Sequence, residues 1–383
     1  MRVVFFTNNY LPRLSGVAIS ASSLKKGLNQ LGVEVLVFAP RYHSVFKKEL
    51  EKDIVRIRSF RYRKELFSLP LPFMHVSKIK RALYHFQPDI VHIHQPFLLG
   101  PYGLKLAHQN NLPAVFTYHT INEVYVSFIP FTRTLCKRIS DHNEKHCAAY
   151  CNVIIAPTLG VKDYLRGKGI KTPCQVIPTG VDLDLFSFGQ IDAARLTKLR
   201  QQNKIKIGQP ILLHVGRLTT EKNIQFILDG FSQVLKRVRS AILLMIGSGV
   251  QSSLFIKEAK EMGLAGSIRW LGRQNRELVA DYYALADLFL FSSQSDTQAL
   301  VIYEALATGL PVIALDSIAC RAIVQDKING SIVRKKDPSE FADRIITFLD
   351  FKKEMKWSLP QDYSYQTMAA RTLDLYNQLQ RKK

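Results

Sequence analysis

Short runs that are apolar at nearly every position recur through the first half of the chain. They read V-V-F-F at residues 3–6, E-V-L-V-F-A-P at 34–40, D-I-V-H-I-H at 89–94, P-A-V-F-T-Y-H at 113–119, N-V-I-I-A-P-T at 152–158 and C-Q-V-I-P-T-G at 174–180. A strand wetted on one face alternates apolar and polar residues. A strand without alternation is covered on both faces, the condition of a parallel sheet between two layers of helices. Helix-length segments separate these runs, and Leu24, Leu28 and Leu31 show the helical spacing. D-I-V-R-I-R-S-F at 53–60 is expected to be one further strand. Residues 182–204 are polar and irregular, and then the grammar restarts with P-I-L-L-H-V-G-R, S-A-I-L-L-M-I-G-S-G, S-I-R-W-L-G, D-L-F-L-F-S-S and L-P-V-I-A-L-D. Between them, Ile224, Ile227, Leu228 and Phe231 carry a helical stripe, and the residues after Asp337 read as helical. A chain of 383 residues exceeds what one core holds. The expectation is α/β: two doubly wound, Rossmann-like domains, residues 1–180 and 205–358, with ligands at the carboxyl ends of the strands and a cleft between the domains.

Charge narrows the partners. The net charge is +22, and residues 1–86 hold 16 Lys/Arg against 5 Asp/Glu, a balance of +11. Arg56, Arg58, Arg61, Arg63 and Lys64, then Lys78, Lys80 and Arg81, are interleaved with Phe, Tyr and Leu. Such a face suits either nucleic acid or the anionic headgroups of a membrane. No zinc-finger, helix-turn-helix or RNA-recognition signature accompanies it, so no nucleic-acid partner is expected and a nucleic-acid-binding protein is kept as the remote alternative. The start of the chain turns polar too early for a signal peptide, and no apolar run reaches the length of a membrane span. The five cysteines, Cys136, Cys147, Cys151, Cys174 and Cys320, suit reduced thiols better than a disulfide framework. In H-N-E-K-H-C-A-A-Y-C, residues 142–151, the His and Cys pairs point about 100° apart on a helix, so no metal site is expected there.

Candidate chemistry collects at the predicted strand ends. Arg217 and Lys222 in G-R-L-T-T-E-K follow the first strand of the second half and suit a diphosphate. P-R-L-S-G, ending at Gly16, and I-G-S-G, containing Gly247, are turns where backbone approaches phosphate closely. In S-D-T-Q-A-L-V-I-Y-E the acids Asp296 and Glu304 would be about 12 Å apart on one helix, too far for a hydrolytic pair. The reading preferred is Asp296 in the turn, a helix starting near Thr297 or Gln298, and the amides of Gln298, Ala299 and Leu300 as an anion cradle. His119 ends a strand, while His92 and His94 read as supporting residues.

Together P-R-L-S-G-V, D-I-V-H-I-H, T-Y-H-T, V-I-P-T-G-V-D, G-R-L-T-T-E-K-N, I-G-S-G and S-D-T-Q-A-L-V-I-Y-E-A-L-A-T-G-L-P-V-I-A resemble a family 4 retaining glycosyltransferase of GT-B architecture over nearly the whole length. The resemblance implies that Arg217 and Lys222 neutralise a nucleotide sugar's leaving diphosphate with no metal or other cofactor. It implies that Glu304 holds the ribose, and that Asp296, Thr297 and the following amides hold the transferred sugar. It also places His119 beside the anomeric centre, Gly16 by the diphosphate and Arg273 at the base, and packs the helical tail 359–383 onto the N-terminal domain. Asp296 stands where the family usually has Glu, and Ala299 where it usually has Gly. T-Y-H-T-I-N-E-V-Y, the Thr297-Gln298 pair and the basic N-terminal half most resemble the membrane-surface glucosyltransferases of diacylglycerol. The implied activity is glucosyl transfer from UDP-glucose to a lipid hydroxyl by a cytoplasmic protein held peripherally on the inner face of the cell membrane. A soluble sugar acceptor on the same fold is the alternative.

Overall fold

A computed structural model describes residues 1–42, 52–62, 67–121, 133–187, 192–351 and 357–381. The chain divides into two compact units, Met1–Gly180 with Asp362–Lys383, and Val181–Gln361.

The first unit holds a seven-stranded sheet in the order Ile54–Ile57, Glu34–Pro40, Arg2–Phe6, Ile90–Ile93, Ala114–Thr117, Val153–Ala156, Cys174–Val176, every adjacent pair parallel. The central strands are buried along their whole length, as their unbroken apolar sequences require. Residues 53–60 depart from the single strand expected. The run stops at Ile57, and Ser59–Tyr62 pairs antiparallel with Phe67–Pro70 in a separate ribbon. Ser59 lies at the break, its hydroxyl 2.9 Å from the Ile57 carbonyl and 3.2 Å from the Arg41 amide.

Helix Gly16–Gln30 begins with Ser15 as its cap, Ser15 Oγ accepting from the Ala18 amide. It packs against the C-terminal helix Tyr365–Arg381, whose Tyr365, Met368, Ala369, Leu375 and Tyr376 complete the core with Val3, Phe5, Leu24 and Val35. Gly27 makes the close approach possible. A Cβ there would lie 2.5 Å from the Ala369 Cβ and 3.0 Å from the Tyr365 carbonyl oxygen.

The second unit holds a six-stranded parallel sheet in the order Ile268–Gly272, Ile242–Ile246, Ile211–Val215, Leu288–Phe291, Val312–Leu315, Gly330–Val333. Helix Ile224–Arg237 buries Ile224, Ile227, Leu228 and Phe231 against it, beside helix Pro338–Phe351. Phe186 also belongs here, its ring edge-on to Tyr283 at 5.9 Å, and helix Ala193–Gln202 packs on helix Arg276–Leu285.

Filling the Gly27 contact tests the helix pair. Gly27→Val is expected to destabilise the first unit by about 2 kcal/mol, because the opposing backbone cannot move aside. The denaturant midpoint of the full-length protein reads this directly.

Candidate active site

In the second unit the strand order reverses between Ile211–Val215 and Leu288–Phe291. The chain leaves these neighbours toward opposite sides, so an opening forms beyond their carboxyl ends. The loops that follow them, 216–223 and 292–299, carry most of the candidate residues. Ser292 stitches the two loops together. Its hydroxyl donates to the Lys222 carbonyl at 2.5 Å, and Asn223 Nδ2 donates to the Ser292 carbonyl at 2.9 Å.

Lys222 Nζ sits 2.7 Å from both carboxylate oxygens of Asp296 and 3.4 Å from Ser293 Oγ. Burial would raise the Asp296 pKa; the Lys222 ammonium, bonds from Lys222 and Ser293, and the Arg217 charge outweigh it, so the group lies below the usual carboxylate range. Asp296 is therefore an anion at neutral pH. Arg217 pairs with Glu221 at 3.1 Å, the acid almost wholly buried and the guanidinium about a third exposed. Glu304, also buried, takes Arg276 at 3.0 Å and the Tyr283 hydroxyl at 3.2 Å.

The third loop needs its glycines. A Cβ on Gly247, at φ 132°, would lie 1.8 Å from the Gly216 carbonyl oxygen, and one on Gly249 would lie 2.0 Å from that of Leu218. Arg273 Nε donates to Ser248 Oγ at 2.6 Å, tying the loop after Ile268–Gly272 to the same edge.

One expectation is corrected. The helix starts at Leu300, not at Thr297 or Gln298, and Ala299 is its cap residue without a capping side chain. Asp296 is held by Lys222 instead of capping a helix, and Ala299 has no side-chain oxygen to offer. The Gln298 and Ala299 amides thus belong to the turn, and the Leu300 amide opens the helix. Thr297 and Gln298 are buried in that turn. Glu304 is the fifth residue of the helix, about one turn in.

In the first unit, the corresponding edge holds Gly16 and His119. A side-chain carbon on Gly16 would meet nothing within 4 Å. His119 Nε2 lies 3.0 Å from His94 Nδ1, and the rings of His92, His94 and His119 stack in sequence with centroids 4.5 and 5.3 Å apart. His92 closes the column through Tyr376 at 2.5 Å and Thr117 at 2.6 Å. Desolvation lowers His92 and His119 to about 3 and His94 well below its ordinary value; His92 and His94 are buried and His119 is half-buried. These imidazoles are neutral at physiological pH. They act as hydrogen-bond donors and acceptors, not as cations.

The basic face is partly corrected. Arg56 turns inward and is half-buried, its guanidinium donating to the Leu11 carbonyl at 2.7 Å and the Pro40 carbonyl at 3.4 Å. It braces the strand ends and is not a headgroup contact. Arg58, Lys78, Lys80 and Arg81 are exposed, and beside them Phe60, Phe73, Met74 and Tyr84 are 59, 68, 53 and 76 % exposed. Arg61 lies on the ribbon Ser59–Tyr62; Arg63 and Lys64 fall outside the described residues. Among the described residues no helix is long and apolar enough to cross a membrane, and no three His, Cys, Asp or Glu side chains converge as metal ligands. Cys147 and Cys151 are buried thiols.

Glu221, Ser293, Tyr283 and Arg276 were not singled out from sequence. Glu221 stood inside G-R-L-T-T-E-K, and Arg276 three residues after Arg273 in R-Q-N-R, where Asn275 caps the helix that carries it by accepting from the Leu278 amide. Tyr283 and Ser293 carry no local signal.

Residues 14–185 match the model of Glycosyltransferase Family 4, and residues 196–364 match that of Glycosyl transferases group 1. The alpha-monoglucosyldiacylglycerol synthase of Streptococcus pneumoniae is 31% identical over 335 residues, 87% of this chain and 75% of the relative. The protein of that name from Acholeplasma laidlawii is 29% identical over 343 residues, 88% of this chain and 86% of the relative. Sucrose-phosphate synthase from Thermosynechococcus elongatus superposes with a TM-score of 0.82 over 100% of both chains at 21% identity. Anabaena HepE in complex with UDP gives 0.77 over 99% of this chain and 100% of that one at 18%. The two sheets and these matches define a GT-B glycosyltransferase fold built of Rossmann-like domains. The chain belongs to glycosyltransferase family 4, and it is a hexosyltransferase.

The neutral histidines make the fold acid-sensitive. Their folded-state pKa values lie below the unfolded value of about 6.5, so between the two the unfolded chain binds more protons and stability falls as pH falls. Each such residue is expected to cost about 2 kcal/mol at pH 5 relative to pH 7.5. Denaturant unfolding at the two pH values checks this, and His92→Gln is expected to shrink the difference by about one residue's share.

Proposed function

We propose that this enzyme transfers a glucosyl unit from UDP-glucose to the hydroxyl of a membrane lipid such as diacylglycerol, retaining the anomeric configuration and using no metal ion. The observation that carries the donor half is the gathering of Arg217, Lys222, Asp296 and Glu304 around one strand-order reversal, each charge already paired and held. Breaking the bond from the sugar to the diphosphate puts negative charge on the phosphate. Arg217 and the Lys222 ammonium meet that charge without a divalent cation. Asp296, an anion with acceptor positions beyond those facing Lys222, takes hydroxyls of the glucosyl ring. Glu304 takes the ribose hydroxyls, and Arg273 edges the base. The acceptor hydroxyl then forms its bond to the anomeric carbon on the face the diphosphate leaves, its proton passing to the departing phosphate oxygen.

The lipid half of the reading is supported by the relatives named alpha-monoglucosyldiacylglycerol synthase. It is also supported by the exposed face where Phe60, Phe73, Met74 and Tyr84 stand among Arg58, Lys78, Lys80 and Arg81. Apolar side chains enter the headgroup layer while each nearby cation contributes about 1 kcal/mol on an anionic surface.

Two measurements check the reading. Lys222→Ala and Glu304→Gln are each expected to lower glucosyl transfer at least about a hundredfold with the circular dichroism spectrum unchanged; full activity in both removes this donor site. Sedimentation with phosphatidylglycerol-containing vesicles at low salt is expected to capture the protein, and the double variant Phe73→Ser, Met74→Ser to release it by about tenfold or more. Absence of vesicle binding by the wild type moves the acceptor to a soluble sugar.

A further inference from the structure

Glu304 is the centre of a closed group of four side chains. Arg276 reaches one of its carboxylate oxygens at 3.0 Å, and the Tyr283 hydroxyl the other at 3.2 Å. Phe186, fully buried, supports both partners. The Arg276 guanidinium lies 5.0 Å from its ring centroid, and the Tyr283 ring meets it edge-on at 5.9 Å. Burial and the Glu304 charge push the Tyr283 hydroxyl upward from its ordinary pKa, so it remains a neutral donor.

A carboxylate has about four acceptor positions. The two named bonds use one on each oxygen, which leaves one on each. The two remaining positions match the two vicinal hydroxyls of a ribose. A flexible glutamate would have to be ordered when the nucleotide binds; this one is ordered beforehand, by a planar guanidinium that is itself clamped on an aromatic face.

We propose that Arg276 is a positioning residue that sets the nucleoside specificity of the donor site: by fixing Glu304 it makes the site select ribonucleoside over 2′-deoxyribonucleoside diphosphates. This rests on the donor reading above, in which Glu304 meets the ribose. Losing one hydroxyl leaves a buried charged acceptor without its bond, which corresponds to about ten- to a hundredfold in affinity.

The test is calorimetric titration of the full-length protein with UDP and with 2′-deoxy-UDP, which needs no turnover. The wild type is expected to prefer UDP by about ten- to a hundredfold, and Arg276→Gln to bring that preference below about threefold. A wild type that binds both equally, or an Arg276→Gln protein that melts like wild type and keeps the preference, overturns the proposal. If Arg276→Gln fails to fold, Arg276→Lys and Phe186→Leu decide it: a reduced ratio in either supports the role, and an unchanged ratio in both overturns it. Failure of the donor reading looks different, since UDP then does not bind the wild type and Glu304→Gln keeps full transfer. A general loosening of the fold weakens both nucleotides together and leaves their ratio intact.

Discussion

Everything at the candidate site depends on two neighbouring parallel strands whose following chains part company. Ile211–Val215 pairs with Ile242–Ile246 on one side and Leu288–Phe291 on the other. Because the chain leaves each strand toward a different layer, no helix fills the space above this pair, and backbone and side chains from two distant stretches must close it. Lys222 and Asp296, 74 residues apart, meet there. Ser292 bonding to the Lys222 carbonyl and Asn223 bonding back to Ser292 hold the two loops in register. A parallel sheet without these stitches would still fold, but its edge would have no fixed arrangement of charge.

The site also keeps its charges matched before any substrate arrives. Arg217 faces Glu221, Lys222 faces Asp296, and Arg276 faces Glu304. Like charges in one opening would repel each other and spread; pairing each cation with an anchored acid lets them stand close together at small cost in strain. The strong positive balance of the chain lies elsewhere, with half of it in residues 1–86. Paired cations thus line a precise edge of the second unit, while in the first unit Arg58, Lys78, Lys80 and Arg81 stand exposed near Phe60, Phe73, Met74 and Tyr84.

Much of this was legible in the sequence. Unbroken apolar runs marked parallel strands because burial on both faces removes the alternation that would otherwise show, as in Ile90–Ile93 and Leu288–Phe291. Arg217, Lys222, Asp296 and Glu304 could be named because each stands next to such a strand or in a dense motif. What escaped depends on contacts between residues far apart. The helix start moved to Leu300 because the Asp296 side chain was spent on Lys222, a partner invisible to local capping rules. The break after Ile57 and the turn of Arg56 toward Leu11 follow from neighbours that composition does not reveal, so a basic run read as one face divided into a structural brace and an exposed set. Tyr283 and Arg276 acquire meaning only through Glu304, which lies on another helix.

The C-terminal helix Tyr365–Arg381 carries a consequence for the order of assembly. Its Tyr365, Met368, Ala369 and Tyr376 lie in the same core as Phe5 and Leu24, and its Tyr376 hydroxyl meets His92. A growing polypeptide emerges from its amino end, yet these last side chains leave the ribosome only after the intervening Val181–Gln361 unit has been made. The first unit to be translated is therefore the last able to finish its interior. During that delay its sheet must wait with one helix-wide strip of apolar surface uncovered, while the unit translated second already has all of its own residues.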